Sequence, residues 1–262
     1  MSPKTILITG ATDGLGLGVA GALARQGHTL LLHGRSRQRL AAAAATLGTT
    51  ARTYLADLAS IKAVMGLAGE LLGAEDHIDV LIANAGIGDS GPRRESADGY
   101  ELHFAVNYLA HFLLITRLLG RLRASAPARI VLVSSLSQAP VDFDDVMLDH
   151  GYQGTLAYSQ SKLAQIAFGL RLAGQLDPGE ATVTSLHPAT LMPTKMVLTG
   201  GGRPLDSLER GVAATTRLAV DPVLEGITGV FYDRERPAAP HPWAADPEVQ
   251  ERLWQLSEQL TV

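Results

Sequence analysis

A short apolar run passes directly into a glycine-rich turn in the stretch Lys4-Thr-Ile-Leu-Ile-Thr9-Gly10-Ala-Thr-Asp-Gly14-Leu-Gly16. The run predicts a strand, and the helical pattern that begins at Leu15 predicts a helix directly after the turn. Glycines at such a junction let the backbone approach a pyrophosphate, and the helix N-terminus offers unpaired N–H groups. The alternative is a turn without a ligand, since the spacing G-x-x-x-G-x-G differs from the widespread G-x-G-x-x-G. The residues expected to contact a dinucleotide here are Gly10, Thr12, Asp13, Gly14, Leu15 and Gly16.

Short apolar runs alternate with longer helical patterns along the rest of the chain. The predicted strands are Thr5–Thr9, Thr29–His33, Ala51–Ala56, Ile78–Ala83, Arg129–Ser134, Thr182–His187 and Gly229–Tyr232. The predicted helices are Leu15–Gln26, Gln38–Leu47, Ile61–Leu72, Gly99–Ala124, Thr155–Leu176, Ser207–Ala219 and Pro247–Gln259. Continuous apolar strands that alternate with helices imply an α/β fold of the Rossmann type, with a doubly wound, seven-stranded parallel sheet and helices on both faces. We expect one NAD(P)-binding domain over residues 1–262, with Pro237–Pro242 as a surface connection.

Composition excludes several classes of function. Hydrophobic residues make up 46% of the 262 residues, so a large core is easily filled. A net charge of −4 argues against nucleic acid as the main partner. Since there is no cysteine, disulfides, thiolate metal sites and cysteine nucleophiles are excluded, and the eight histidines show no zinc-like pairing. No charged leader or long apolar stretch precedes the first strand, so we expect a soluble cytoplasmic protein without membrane insertion.

The end of the second predicted strand bears on the choice between NAD and NADP. An acidic residue there would bind the free ribose 2′-hydroxyl of NAD, but this strand is followed by Arg35, Ser36 and Arg37. Arg35 can bind a 2′-phosphate bidentately, so we expect NADP(H), with NAD(H) less favoured. The alternative is that both arginines are ordinary solvated residues. Asp57 and Leu58 follow the third strand, where they could meet the adenine, although Asp57 also suits the turn before a helix.

A phenol and an ammonium lie four residues apart in Tyr158-Ser-Gln-Ser-Lys162, within a predicted helix. Positions i and i+4 share one face of a helix. A neighbouring positive charge favours the phenolate, which allows a tyrosine to exchange a proton nearer to neutral pH than its ordinary pKa permits. The pair therefore predicts a general acid/base, and the alternative is a core tyrosine beside a solvated lysine.

Seven motifs stand in a characteristic order over nearly the whole chain: Thr9-Gly10-x3-Gly14-x-Gly16, Asp57-Leu58, Asn84-Ala85-Gly86, Asn107, Ser134-Ser135, Tyr158-x3-Lys162 and His187-Pro188-x5-Thr194. In this combination the chain resembles the short-chain dehydrogenase/reductase family. Ser135 and Tyr158 are 23 residues apart, more than is usual in that family. The long spacing and the tail Arg252–Ser257 look similar to the retinol-dehydrogenase-like and related bacterial carbonyl reductases.

The resemblance implies a role for each catalytic residue. Tyr158 would be the acid/base, and Lys162 would lower the pKa of Tyr158 and hold the nicotinamide ribose. Ser135 would bind the substrate oxygen. Ser134 is the competing candidate. Alternation along the strand puts the two serines on opposite faces, and the family's pattern favours Ser135. The alternative is a strand-end serine that serves only the backbone of the turn. Asn107 would interrupt its helix and hold a water that leads to Lys162; otherwise it is a surface helix residue.

The remaining motifs imply contacts with the cofactor. Asn84, Ala85 and Gly86 would line the adenine and ribose region. The segment after the sixth strand would wrap the nicotinamide carboxamide, through Pro188, Thr190, Leu191 and Thr194. Residue 189 is alanine where the family commonly has glycine, so a positive φ there would be strained.

The expected function is an NADP(H)-dependent oxidoreductase that transfers hydride between the nicotinamide and a carbonyl or alcohol. A cofactor-binding sensor without turnover and a non-redox, epimerase-like enzyme stay as alternatives. Residues 136–154 and 191–206 are expected to form the substrate loops and to line an apolar pocket with Val141, Phe143, Met147, Leu148, Leu191, Met192, Met196, Val197 and Leu198. A homodimer or homotetramer is expected through the helices Gly99–Ala124 and Thr155–Leu176.

Overall fold

The computed structural model describes residues 2–48, 51–88, 90–199 and 202–262. Its centre is a sheet with the strand order β3-β2-β1-β4-β5-β6-β7-β8. The first seven strands are parallel, and β8 pairs with β7 in the antiparallel sense. The strands are β1 Thr5–Ile8, β2 Thr29–Gly34, β3 Ala51–Leu55, β4 Val80–Ala83, β5 Ala128–Val133, β6 Ala181–His187, β7 Val230–Asp233 and β8 Arg236–Ala238. The predicted Rossmann-type fold is confirmed, with one further edge strand.

The additional strand corrects the interpretation of Pro237–Pro242 as a plain surface connection. Arg236–Ala238 folds back on β7, so that Phe231 lies opposite Ala238 and Asp233 lies opposite Arg236. The turn between them passes through Arg234, whose φ is +58°. Prolines are tolerated on such an edge because no further strand needs their missing N–H.

Helices cover both faces of the sheet and leave two apolar cores, one on each side. Serine or aspartate side chains cap the N-termini of α2, α3, α7 and α8, since their oxygens accept from first-turn N–H groups. The helices are α1 Gly14–Arg25, α2 Arg37–Leu47, α3 Ile61–Ala74, α4 Ala110–Ala124, α5 Gly154–Gln175, α6 Lys195–Thr199, α7 Leu208–Val220 and α8 Pro247–Leu260, with a π-helical segment Phe104–Leu109 before α4.

The helix predicted over Gly99–Ala124 begins later than expected. Gly99 has a φ of +83°, and Glu101 forms an isolated bridge with Glu95, so the backbone is not helical there. Among the described helices, none combines the length and the apolar character that a membrane span requires.

The C-terminal helix α8 lies on α4 and α5, the two helices expected to form a dimer interface. Trp254 packs edge-on against Phe112, with ring centroids 5.1 Å apart, and also contacts Phe168. The hydroxyls of Tyr108 and Ser257 lie 2.6 Å apart. A homodimer or homotetramer stays a prediction, but these faces could form its interface only if α8 moved away.

Candidate active site

The predicted site residues meet at the carboxyl edge of the parallel strands. The glycine turn follows β1, Asn84–Gly86 follow β4, Ser135 follows β5 and Pro188–Thr194 follow β6. Helix α5 brings Tyr158 and Lys162 to the same edge. Ligands bind at this edge in open α/β sheets because the order of strands reverses there and leaves a crevice.

Backbone geometry explains the glycines of the turn after β1. Gly10 and Gly14 have φ angles of +66° and +49°, which favour glycine. A Cβ at Gly16 would overlap the carbonyl oxygen of Gly10 and lie 2.5 Å from Nδ2 of Asn84. That amide donates to the carbonyls of Thr9 and Gly10, at 2.8 and 3.2 Å. The turn is closely packed against Asn84 and leads directly into the N-terminus of α1, where Asp13 accepts from the N–H of Gly14. A turn of this shape at a helix N-terminus fits a phosphate group.

The buried His111 connects this turn to the π-helical segment that carries Asn107, a role that the sequence did not predict. Nδ1 of His111 donates to the carbonyl of Asn107 at 3.0 Å, and Nε2 lies 2.9 Å from the hydroxyl of Thr9. Burial lowers the pKa of His111 to about 4, so the ring is neutral and Nε2 accepts from Thr9. The Thr9 oxygen in turn accepts from the N–H groups of Asn84 and Ala85, both at 2.9 Å. Its two lone pairs and its proton are thus all used.

A second buried histidine, His33, joins the turn to the end of β3. Its Nε2 donates to the carbonyl of Ala56 at 3.1 Å, while Nδ1 accepts from the N–H of Gly10 at 3.3 Å. Burial lowers its pKa to about 4. The sequence gives little sign of this role, because His33 stands at the end of an apolar run and its partners, Gly10 and Ala56, follow two other strands.

The predicted 2′-phosphate residues lie at the end of β2. Arg35 is exposed there, and Ser36 caps α2 by accepting from the N–H of Arg39 at 3.4 Å. Arg39 itself lies 3.7 Å from the carboxylate of Asp13. Asp57 accepts from the N–H of Ala59 at 3.0 Å, which agrees with its interpretation as a turn residue. Leu58 is buried next to it.

Ser135, and not Ser134, interacts with the phenol of Tyr158, whose pKa its hydroxyl lowers by hydrogen bonding. Ser134 donates instead to the backbone carbonyl of Lys162 at 2.7 Å and so serves the packing of α5 on β5. Burial raises the pKa of the Tyr158 phenol, which the bond to Ser135 offsets in part. The expected lowering by Lys162 does not dominate, since its Nζ lies 5.9 Å from the ring centroid. Tyr158 is therefore protonated at neutral pH and able to donate.

Lys162 is buried and reaches back to the sheet. Its Nζ donates to the carbonyl of Val133 at 2.8 Å and lies 3.4 Å from Oε1 of Gln165. Desolvation lowers the pKa of Lys162 to about 8. The side chain also lies beside the turn after β4, since a Cβ at Gly86 would be 3.4 Å from Nζ and 3.3 Å from Oδ1 of Asn107.

Asn107 interrupts its helix, as the resemblance implies. It lies in the π-helical segment and is fully buried, so the alternative of a surface helix residue is wrong. Its Oδ1 accepts from the N–H of Ile87 at 2.8 Å. Its Nδ2 donates to the carbonyl of Ile87 at 3.0 Å and to the hydroxyl of Ser161 at 2.9 Å. These bonds hold the strand end after β4 against α5, while the expected water contact stays a prediction.

The segment after β6 folds back over the glycine turn. A Cβ at Gly14 would lie 3.1 Å from the methyl group of Thr194. Leu191, with φ +46°, carries the strained backbone of this segment, whereas Ala189 is not among the residues with positive φ in the described chain. The condition under which alanine would be strained at position 189, a positive φ, is therefore not met. Gly200 and Gly201 of the predicted loop lie outside the described residues.

A carboxylate closes the base of this segment, and the sequence did not predict it. Asp206 accepts from the N–H of Thr190 and from Nη2 of Arg234, both at 2.7 Å. Nη2 of Arg234 also donates to the hydroxyl of Thr190 at 2.8 Å. These hydrogen bonds hold the pKa of Asp206 well below its usual range. The two ends of the segment that carries Pro188, Leu191 and Thr194 are thereby tied together.

The apolar residues of the other predicted loop mostly pack into the core. Val141 and Leu148 are buried, and Phe143 stacks on Trp243 with centroids 5.8 Å apart. The sulfur of Met147 accepts from the N–H of Glu101 at 3.3 Å. The prediction that these residues line the pocket is therefore wrong, because they pack against segments that are distant in the sequence. Met192 likewise packs on α7 at Gly211. The large apolar residues that are exposed in the described parts of the two predicted substrate loops are Leu136, Leu191, Leu198 and Leu205.

Gly88 was not among the predicted site residues, yet its backbone lies close to the ring of Tyr158. A Cβ there would be 3.0 Å from Cδ2 and Cε2 of Tyr158 and 3.0 Å from Sδ of Met196. In the sequence, Gly88 is simply the second glycine of Gly86-Ile87-Gly88, and nothing in that short stretch indicates a contact with Tyr158. We infer that Gly88 leaves the room in which the Tyr158 ring takes its position.

If Tyr158 is the acid that the resemblance implies, Gly88→Ala is expected to reduce kcat by about 10-fold or more, because a misplacement of a reacting group by about 1 Å can cost about 10²-fold. Gly69→Ala is the matched control, since its Cβ meets nothing within 4 Å on the exposed face of α3. Steady-state kinetics and melting curves of both variants check this. An unchanged kcat in Gly88→Ala would show that the ring has room to spare.

Comparison with known proteins gives a consistent result. A model of the family described as short chain dehydrogenase matches residues 4–199. Retinol dehydrogenase 14 from Mus musculus is 36% identical to the chain, over 98% of this chain and 86% of its own length. The crystal structure of an uncharacterized protein from Mycobacterium paratuberculosis is similar with a TM-score of 0.81 at 30% identity, covering 98% of this chain and 93% of that chain. A short chain dehydrogenase from Escherichia coli CFT073, complexed with NADPH, has the same fold, with a TM-score of 0.74 at 24% identity and coverage of 90% and 98%.

Proposed function

Because the chain belongs to the short-chain dehydrogenases, a family of oxidoreductases, we propose that it transfers hydride between NADP(H) and a carbonyl or alcohol. One observation carries the proposal. The ring of Tyr158 lies with its centroid 5.9 Å from Nζ of the buried Lys162 at the carboxyl edge of the sheet, and the Ser135 hydroxyl interacts with its phenol. An acid, a hydroxyl donor and a cation in this arrangement suit the reduction of a carbonyl group.

Each of these side chains has its own step in the proposed reaction. The Ser135 hydroxyl donates to the substrate oxygen and orients it. As negative charge develops on that oxygen, the Tyr158 phenol donates its proton, so that the carbonyl becomes an alcohol. Lys162 stabilises the phenolate left behind, and Asn107 holds the strand end that faces them. When bound, the reduced nicotinamide supplies the hydride that the carbonyl carbon accepts.

The cofactor would lie along the edge from β2 to β6. The glycine turn would bind its pyrophosphate, Lys162 the nicotinamide ribose, and Arg35 with Ser36 the 2′-phosphate. NADP is favoured over NAD because the exposed Arg35 follows β2 where an acid would select NAD. The further residues proposed to contact the cofactor are Asp57, Leu58, Asn84, Ala85, Gly86, Pro188, Thr190, Leu191 and Thr194.

Arg35→Ala tests the cofactor preference. A hydrogen bond to a charged group contributes about 1.5–3 kcal/mol, so the Kd for NADPH is expected to rise about 10- to 100-fold while the Kd for NADH stays unchanged. Arg37→Ala, which removes the same charge two residues away, is the matched control. Fluorescence titration measures both constants. Equal losses for NADPH and NADH, or a larger loss in Arg37→Ala, would contradict the assignment.

The substrate is proposed to carry an apolar portion. Leu136, Leu191 and Leu198 are exposed by 48%, 45% and 56% around the site, and Met196 lies against Gly88. Apolar groups left open beside a polar catalytic centre suit a substrate that buries hydrocarbon and presents one oxygen. The similarity to retinol dehydrogenase 14 agrees with such a substrate.

The test of the function is direct. Purified protein is mixed with NADPH and a panel of apolar aldehydes and ketones, and the loss of absorbance of the reduced cofactor is followed together with the alcohol product. The expected result is turnover that needs both cofactor and carbonyl. Tight NADPH binding without turnover of the whole panel would instead favour a sensor, and isomerised product without net oxidation would favour a non-redox enzyme.

A further inference from the structure

The ammonium of Lys162 has no charged partner among the described residues. It is buried to 4% exposure, and the groups that reach its Nζ are the carbonyl of Val133 at 2.8 Å and Oε1 of Gln165 at 3.4 Å. A buried charge is ordinarily paired, because removing it from water is costly. Here neutral dipoles replace the counter-ion.

The side chain that supplies one of these dipoles is itself unusual. Gln165 is fully buried on α5, one helical turn from Lys162. Since its oxygen faces the ammonium, its Nε2 points away and has no hydrogen-bond partner among the described residues. An unsatisfied buried amide destabilises a fold, and an unbranched apolar side chain would fill the same space without that cost. A glutamine at this position is therefore better explained by what it does for Lys162 than by packing.

The other groups around Lys162 do not supply charge either. The titratable side chains that face it in the described chain are Tyr158 on its own helix and His111 on α4. Burial keeps both uncharged at neutral pH. The π-helical segment presents the amide of Asn107, and the turn after β4 presents the backbone of Gly86.

We propose that Gln165 is a positioning residue that keeps Lys162 in its ammonium form beside Tyr158. The proposal about Lys162 itself stands on contacts within the chain, and its consequence for the rate rests on the proposed function. Desolvation already brings the pKa of Lys162 down to about 8, so the charge is present below that pH and is lost as the pH rises through it. Because this pKa lies close to neutral pH, removing one dipole near Nζ is then enough to change how much of Lys162 is charged at the pH of the reaction.

Two replacements of nearly equal shape make opposite predictions. Gln165→Met keeps the length of the side chain and removes the dipole, so the pKa of Lys162 falls and the ammonium is lost at lower pH. Gln165→Glu places a carboxylate beside the ammonium, so the pKa of Lys162 rises. We expect shifts of about one pH unit down and at least one up, each unit being about a tenfold change in the protonation equilibrium. Folding should survive in Gln165→Met, because relief of the unpaired Nε2 opposes the weaker support of the buried ammonium, and the melting temperature is expected to stay within a few degrees of that of the unaltered protein.

The test reads the lysine directly. The chain has four lysines, so NMR titration of protein labelled with ¹³C at the lysine side chains resolves each of them, and Lys162→Arg assigns the signal. The Lys62 signal, from the exposed face of α3, is the internal reference and should be the same in every variant. Midpoints for Lys162 that move down in Gln165→Met and up in Gln165→Glu support the proposal. A midpoint that does not move in Gln165→Met overturns it, whether or not the melting temperature changes.

The rate gives the second reading. The alkaline decline of kcat for carbonyl reduction is expected to shift down in Gln165→Met by the same amount as the NMR midpoint. If the NMR midpoints shift and no carbonyl is reduced by any variant, the proposed function fails while the control of Lys162 by Gln165 stands. If reduction occurs and its pH profile is the same in both variants as in the unaltered protein, the positioning role in catalysis is refuted.

Discussion

Tyr158→Phe is expected to reduce kcat for carbonyl reduction by about 10²- to 10⁴-fold, the usual contribution of a positioned general acid. The phenylalanine ring fills the same space but has no proton to donate to the substrate oxygen. Within the described site the substitution removes only the interaction of the phenol with Ser135, so the protein should still fold and bind NADPH within a few-fold of its normal Kd. Steady-state kinetics beside a fluorescence titration of NADPH separates the chemical effect from the binding effect.

Tyr100→Phe is the matched control for this experiment. Its hydroxyl donates to the carbonyl of Leu260 at 3.0 Å, on the C-terminal helix and outside the catalytic group. The same atom is removed, and kcat is expected to be unchanged. If Tyr158→Phe kept full activity, the proton would have to come from another group, and the assignment of the acid would be wrong.

Gly16→Ala is expected to abolish NADPH binding and to destabilise the fold by about 3 kcal/mol or more, at the upper end of what overpacking costs. The new methyl group would overlap the carbonyl oxygen of Gly10 and press on Nδ2 of Asn84, which holds the strand ends of β1 and β4 together. Backbone atoms cannot move aside as the end of a flexible side chain can. Thermal melting, with NADPH titration at a temperature where the variant is folded, measures both effects.

Gly21→Ala lies on the same helix and makes the opposite prediction. The nearest atoms to its Cβ would be Nη1 of Arg25 at 3.5 Å and Cδ2 of Leu47 at 3.8 Å, both at the ends of side chains. Alanine in an unobstructed helix interior stabilises by about 0.5–1 kcal/mol relative to glycine. Should both variants melt alike and bind NADPH alike, the close packing of the turn would not matter for function.

The motifs that could be interpreted from the sequence are those whose residues are neighbours along the chain. The turn Gly10–Gly16 and the pair Tyr158 and Lys162 are separated by a few residues, so backbone geometry alone predicts their arrangement. The preference for Ser135 over Ser134 came from the resemblance to the family, and the structure supplies a physical reason for it. The alternation of a strand shows that they face opposite ways, but only the position of α5 shows which one meets Tyr158.

Contacts between residues that are far apart in the sequence could not be predicted from it. His111 contacts Thr9 across 102 positions, and Arg234 contacts Asp206 across 28. Val141 and Phe143 were expected to line the pocket because they are apolar and lie in a long loop. Val141 is buried in the core instead, and Phe143 stacks on Trp243 from the C-terminal segment.

The sequence by itself determined the alternation of strands and helices and the glycine-rich turn after β1, because each is encoded in short-range spacing, and it indicated the family through the order of its motifs. Only the tertiary structure decided that α8 covers α4 and α5, that Gly88 lies against the Tyr158 ring, and that Lys162 is surrounded by neutral dipoles. Burial and the direction of a side chain depend on which distant segments pack together. The electrostatic state of the catalytic pair follows from that packing, since desolvation is the force that shifts both of its pKa values.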